Sequence, residues 1–228
     1  MLENKQQRIV NQYSELRSEN FNRPQYSFAL NLLKSWNPAN RNVIEFGGGR
    51  GEFSRLLQKE NCSVTFIDIN PENVQNAISN GFQAKSCDLN KPLPDFADEA
   101  FDGAVMLEVI EHINHSELLL SETCRILKRG GFLILSTPNP YFFWHRMSIL
   151  FGNEIVGEGY HYRFYNRKQL EKTIVDSGFI IKIRNPSTST FGLNILASGL
   201  FHKTINFRLP KFLHGLFARK FYILAVKK

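Results

Sequence analysis

An open α/β fold is what the sequence predicts: a mostly parallel seven-stranded sheet with helices on both faces, N-terminal helices ahead of it and a helical insertion before the last strand. Three observations predict it. Short apolar runs recur between stretches of helical spacing, the pattern of repeated strand–helix units. The first run, at 43–46, leads into a glycine-rich turn (Gly47, Gly48, Gly49, Arg50, Gly51) and then a helix start at Glu52. A length of 228 residues suits one such domain with elaborations.

Each element has its own signal. Residues 5–20 are polar with sparse apolar positions (Ile9, Val10, Tyr13, Leu16), as on a surface helix. Residues 26–36 read as a second helix, ended by Asn37 and Pro38. Strands are predicted at 43–46, 63–67, 82–86, 101–107, 131–136, 179–184 and 221–226, and helices at 52–59, 71–80, 115–128, 140–150 and 167–177. Pro71 suits a first helical position, and Gly81, Gly130 and Gly178 stand where glycines terminate helices. The chain divides into an N-terminal helical cover (1–40), a core (41–186), a basic apolar insertion (187–220) and the final strand of the core sheet (221–228).

Composition excludes several classes. Cys62, Cys87 and Cys124 are far apart with no Cys-x-x-Cys, so neither a disulfide framework nor a cysteine zinc site is expected. Residues 1–8 are polar and lack the apolar core of a secretory signal, and no apolar stretch is long enough to span a bilayer. The expectation is a cytoplasmic protein. Its net charge of +7 is unevenly placed: no acidic residue follows Asp176, while Lys182, Arg184, Arg219 and Lys220 do. That end should meet an anionic surface or substrate.

The glycine turn is a cradle for a nucleotide-like ligand, since missing β-carbons admit the ligand to the backbone and a helix N-terminus offers free N–H groups. A dinucleotide is disfavoured. Counting G-x-G-x-x-G from Gly47 puts the third glycine at Glu52, whose carboxylate would repel a pyrophosphate. No Gly-Lys-Ser/Thr follows either, which excludes a P-loop. In an open sheet the ligand lies beyond the strand carboxyl ends. There the sequence places Asp68, Asp88 and Glu108 after successive strands, then residues 136–139.

In these motifs the chain resembles the class I S-adenosylmethionine-dependent methyltransferases, whose fold is Rossmann-like. Residues 45–51 are similar to their first motif, Phe66, Ile67 and Asp68 to the second, Cys87, Asp88 and Leu89 to the third, and 101–108 to the fourth. Residues 127–136 resemble the loop and fifth strand that follow, so the likeness runs from about 40 to 184. It implies that the 47–51 loop (Gly47, Gly49, Gly51) holds the methionine moiety, with Glu45 and Phe46 just before it. Asp68, followed by Ile69, would take the ribose hydroxyls. Asp88 would accept from the adenine amino group, with Leu89 on the ring, and Glu108 would face the sulfonium. Acids suit a cationic sulfur.

Glu108, Glu111 and His112 are spaced i, i+3 and i+4, one face of a helical turn if the segment is helical. Two carboxylates and an imidazole make good ligands for a divalent cation, and His161 is a fourth candidate downstream. This set resembles two subgroups: the ubiquinone-biosynthesis O-methyltransferases, and the enzymes that methylate the 3′-terminal 2′-hydroxyl of small RNAs. The likeness implies Mg²⁺ or Zn²⁺ on the acceptor oxygens. Without a metal, His112, with Glu111, would be the catalytic base.

The reading is therefore an S-adenosylmethionine-dependent O-methyltransferase of a small-molecule, lipid-linked or saccharide acceptor, with a divalent metal as an option. The alternatives are the metal-dependent RNA 3′-end enzyme and a non-catalytic cofactor-binding protein. Residues 140–151 are rich in large apolar side chains and would cover the acceptor side. The basic, aromatic stretch 187–220 suits packing first, peripheral contact with a membrane second and nucleic acid last.

Overall fold

Seven strands form one sheet in the computed structural model, which describes residues 24–37, 40–153, 161–188 and 214–228. The helix expected at 5–20 and residues 189–213 of the 187–220 insertion lie outside the described residues. The strands are β1 (Asn42–Phe46), β2 (Ser63–Asp68), β3 (Gln83–Ser86), β4 (Phe101–Leu107), β5 (Leu127–Pro138), β6 (Phe179–Thr188) and β7 (Ala218–Lys227), ordered β3-β2-β1-β4-β5-β7-β6. All neighbouring pairs are parallel except those of β7, which runs antiparallel to both β5 and β6.

Helices cover both faces because the central strands are apolar on both. One face carries α1 (Pro24–Lys34), α2 (Glu52–Lys59) and α3 (Pro71–Ser79). There Ala29, Leu33, Phe53, Leu57 and Val74 pack on Val43, Phe66, Val105, Ile134 and Leu224. The other carries α4 (Ser116–Ile126) and α6 (Arg167–Asp176), whose Leu119, Leu120, Leu170 and Ile174 pack on Ile44, Met106, Leu135 and Ile223. Alternation along β7 shows the period of two: Phe221, Ile223 and Ala225 serve one core, Tyr222, Leu224 and Val226 the other. Two short helices complete the described residues, α5 (Phe143–Leu150) after β5 and α7 (His214–Phe217) before β7.

Three local expectations are corrected. The helix predicted to 128 ends at Ile126, and β5 begins at once at Leu127. Gly130 is therefore not a helix terminator; it lies inside β5, where the register with β4 shifts and φ is 72°. The last strand starts at Ala218, before the predicted 221. Gly81 and Gly178 do end helices, with φ of 83° and 98°.

Candidate active site

The sheet reverses its order between β1 and β4, so a crevice opens beyond their carboxyl ends, where open α/β sheets bind ligands. The turn after β1 lines it. Gly47, Gly49 and Gly51 all have positive φ, of 67°, 57° and 72°, which side chains resist. Gly48 is required for space instead. A β-carbon there would lie 2.1 Å from the Phe66 ring. The loop thus carries one side chain, that of Arg50, and is otherwise bare backbone.

Asp68 fastens this loop. One carboxylate oxygen accepts from the Gly49 amide at 2.8 Å, the other from Asn70 N–H at 2.8 Å. Each oxygen keeps a lone pair for a ligand hydroxyl. Asn70 then caps α3 by accepting from Glu72 N–H. On β1, Glu45 is only 4% exposed and accepts from the Ser54 hydroxyl, which ties the strand to the first turn of α2. Burial pushes its carboxyl up to about 8, against the Ser54 hydrogen bond and with help from Asp68 and Glu52. Glu52, the residue that spoils the dinucleotide pattern, is buried and accepts from the Tyr26 hydroxyl of α1 at 2.6 Å. Phe46 is core beneath the loop, whereas Ile69 is exposed at the end of β2. Asp88 accepts from Asn90 N–H at 3.0 Å and pairs with Lys91 at 3.3 Å, and Leu89 is buried beside it.

Residues 108–112 do not form one helical turn, which corrects the shared face expected for Glu108, Glu111 and His112. Glu108 leaves β4 with φ of 58°, a strained region for a side chain, and a 3₁₀ turn begins only at Ile110. Glu108 is held there by Ser136 at 2.7 Å and by the Lys220 ammonium at 2.6 Å. It stands apart from the cluster of Glu111, His112 and His161, whose ligating atoms all lie within 4.8 Å of one another. Glu111 is 1% exposed. One oxygen accepts from Thr137 at 3.0 Å, while Oε1 has no hydrogen-bond partner among the described residues and lies 4.0 Å from His112 Nε2. Desolvation, reinforced by the Glu108 charge, holds the Glu111 carboxyl well above the usual range. The Tyr162 and Arg163 amides both donate to the Glu111 carbonyl, which brings His161 to the cluster.

A cavity of about 240 Å³ adjoins this cluster, lined by Glu108, Glu111, His145, His161, Arg219 and Lys220 among others. Sequence reasoning passed over the roles of Thr137, Ser136, Arg219 and Lys220. Their signal lies in topology. Because β7 runs antiparallel, its first residues meet the end of β5, with Thr137 opposite Phe221 and Pro138 opposite Lys220. The basic pair Arg219 and Lys220, just before an apolar run, was the visible trace.

Known proteins agree with this architecture. The chain is 28% identical over 196 residues to the mitochondrial ubiquinone biosynthesis O-methyltransferase of Rattus norvegicus, covering 78% of this chain and 54% of that protein. It spans about half the length of the curated ubiquinone relatives it matches. Among solved structures, an S-adenosylmethionine-dependent methyltransferase of Mesorhizobium loti superposes with a TM-score of 0.62 at 16% identity, covering 86% of this chain and 96% of that one. The magnesium protoporphyrin IX methyltransferase of Synechocystis, solved with bound S-adenosylhomocysteine, gives 0.62 at 17% identity, covering 90% and 82%. These likenesses show a shared fold. The family model for a methyltransferase domain matches residues 17–181, and with it the glycine loop, the three strand-end acids and the crevice they line: the chain belongs to the methyltransferase-domain family.

Proposed function

We propose that this chain transfers a methyl group from S-adenosylmethionine to a hydroxyl oxygen of an acceptor bound in the cavity beside Glu111. The observation that carries the reading is Glu111: a buried carboxyl with one oxygen unpartnered among the described residues, grouped with His112 and His161 beside the cavity. S-adenosylmethionine supplies an electrophilic methyl on a positively charged sulfur.

The chain's own residues do the rest. The 47–51 loop and Asp68 fit the cofactor, since four of the loop's five residues are glycine and Asp68 keeps acceptor capacity at the end of β2. Glu108, anchored by Lys220 and Ser136, stands at the mouth of the same crevice. The donor set of Glu111, His112 and His161 fits a small divalent cation, which would lower the pKa of a bound hydroxyl. The hydroxyl proton must leave as oxygen attacks, and the Glu111–His112 pair is placed to hold or pass it. Beside the cavity, α5 and the residue that caps it expose Trp144, Leu150 and Phe151, which favours an acceptor with an apolar portion, including one linked to lipid.

Radiolabelled methyl transfer into candidate acceptors tests this. The metal reading expects activity lost on chelation and restored by Mg²⁺ or Zn²⁺, with Glu111→Gln and His112→Ala inactive yet still binding S-adenosylhomocysteine. Activity indifferent to chelator but lost in His112→Ala assigns His112 as the base. Full activity in both variants overturns the reading.

A further inference from the structure

Among the described residues, Arg219 is a cation of the acceptor cavity with no carboxylate partner. The other long basic side chains of the wall, Lys220 and Arg163, are paired. Lys220 is paired with Glu108 at 2.6 Å. Arg163 is paired with Glu117 at 2.6 Å and donates to the Asn114 carbonyl. Arg219 has no carboxylate partner among the described residues; its guanidinium lies over the Phe142 ring, 5.9 Å from the centroid. Such a seat fixes the plane of the group while leaving its N–H fork available. No acid follows Asp176 in the sequence, so the tail supplies nothing to neutralise it.

Arg219 is also held firmly by its backbone. Its carbonyl accepts from Asn139 N–H at 2.9 Å. The buried Asn139 side chain donates to the Gly215 and Ala218 carbonyls at 3.0 and 2.7 Å, which fixes the start of β7 against the end of β5. His145, on α5, faces the same cavity and is kept neutral-leaning by burial and by the Arg219 charge. Arg219 is thus an exposed cation on the β7 side of the cavity, tethered by its backbone and seated on the Phe142 ring.

We infer that Arg219 selects acceptors carrying an oxyanion, a carboxylate or a phosphate, on the same small moiety as the methylated hydroxyl. A cavity of about 240 Å³ has room for roughly one substituted ring, so both groups must sit close together. The planar fork matches either oxyanion bidentately, which a lysine cannot do. This rests on the proposed acceptor site but not on the chemistry of transfer.

Binding separates the two. Calorimetry with the full chain saturated in S-adenosylhomocysteine would compare benzoate and phenyl phosphate with neutral benzamide. The expected result is at least about ten-fold tighter binding of one or both anions, a preference lost in Arg219→Gln and only partly kept in Arg219→Lys. Benzoate alone preferred assigns a carboxylate; phenyl phosphate alone assigns a phosphate. Lys182→Gln, which removes the same charge from exposed β6, should leave the preference intact. An absent preference, or an equal loss in Arg219→Gln and Lys182→Gln, overturns the proposal. S-adenosylhomocysteine affinity retained in Arg219→Gln shows that the variant is folded, and failure of methyl transfer alone leaves the anion preference standing.

Discussion

Glu45 shows most plainly how burial sets chemistry at the scale of one residue. Out of water its carboxyl is pushed to about 8, while the unfolded carboxyl titrates near 4.5. Between those values the folded chain keeps a proton that the unfolded chain has released. Stability therefore falls as pH rises through that window, by an amount on the order of a few kcal/mol. Denaturation of wild type and Glu45→Gln across the window checks this. Wild type should weaken towards pH 8, and the variant, which cannot ionise, should change much less. Equal slopes would mean that Glu45 is ionised throughout. Asp68 and Glu108 were legible in the sequence because each closes or follows an apolar run, whereas Asp88 stands two residues past the polar β3 and was legible through motif order. Glu111 was legible through its spacing to His112. What hid was their company: Asp68 bonded to Gly49, Glu108 to Lys220, Glu111 to Thr137. Those pairings span from 19 to 112 residues, beyond any local pattern.

Among the elements, the start of β7 has the greatest leverage on the site. It carries Arg219 and Lys220, and it is held to the end of β5 through Asn139. Replacing Asn139 by Ala leaves the buried Ala218 carbonyl and the part-buried Gly215 carbonyl without that donor, which costs about 2 kcal/mol. Hydrogen exchange should then quicken at the first residues of β7 more than in β1 or β2; uniform exchange across the sheet would deny this local role. Element type was readable from periodicity, and element ends were not. The segment 108–112 had helical spacing, yet Glu108 takes φ of 58° and the turn is 3₁₀, because Ser136 and Lys220 draw the carboxylate towards β5 and β7. Gly130 had the position of a helix terminator, but β5 had already begun, and the glycine serves the irregular register with β4.

For the molecule as a whole, the α/β class was readable and the strand order was not. Alternating apolar runs and helices predict a parallel sheet. Nothing local says that the last strand inserts, reversed, between β5 and β6. That insertion gives the site two unlike halves. On the β1–β2 side lie a glycine-rich loop and an acid bonded to it. On the β5–β7 side lie a buried carboxyl, two histidines and a basic rim. The first half offers backbone and a carboxylate, the second side chains from four separate segments, so the first is the more readable from sequence.

Calorimetric titration with S-adenosylhomocysteine tests the central claim, that the 47–51 loop and Asp68 form the cofactor seat. Saturable one-to-one binding to the wild-type chain is predicted, weakened at least about ten-fold in Asp68→Ala. A wild-type chain that takes up no S-adenosylhomocysteine, or an Asp68→Ala chain that binds it as tightly, would contradict the claim.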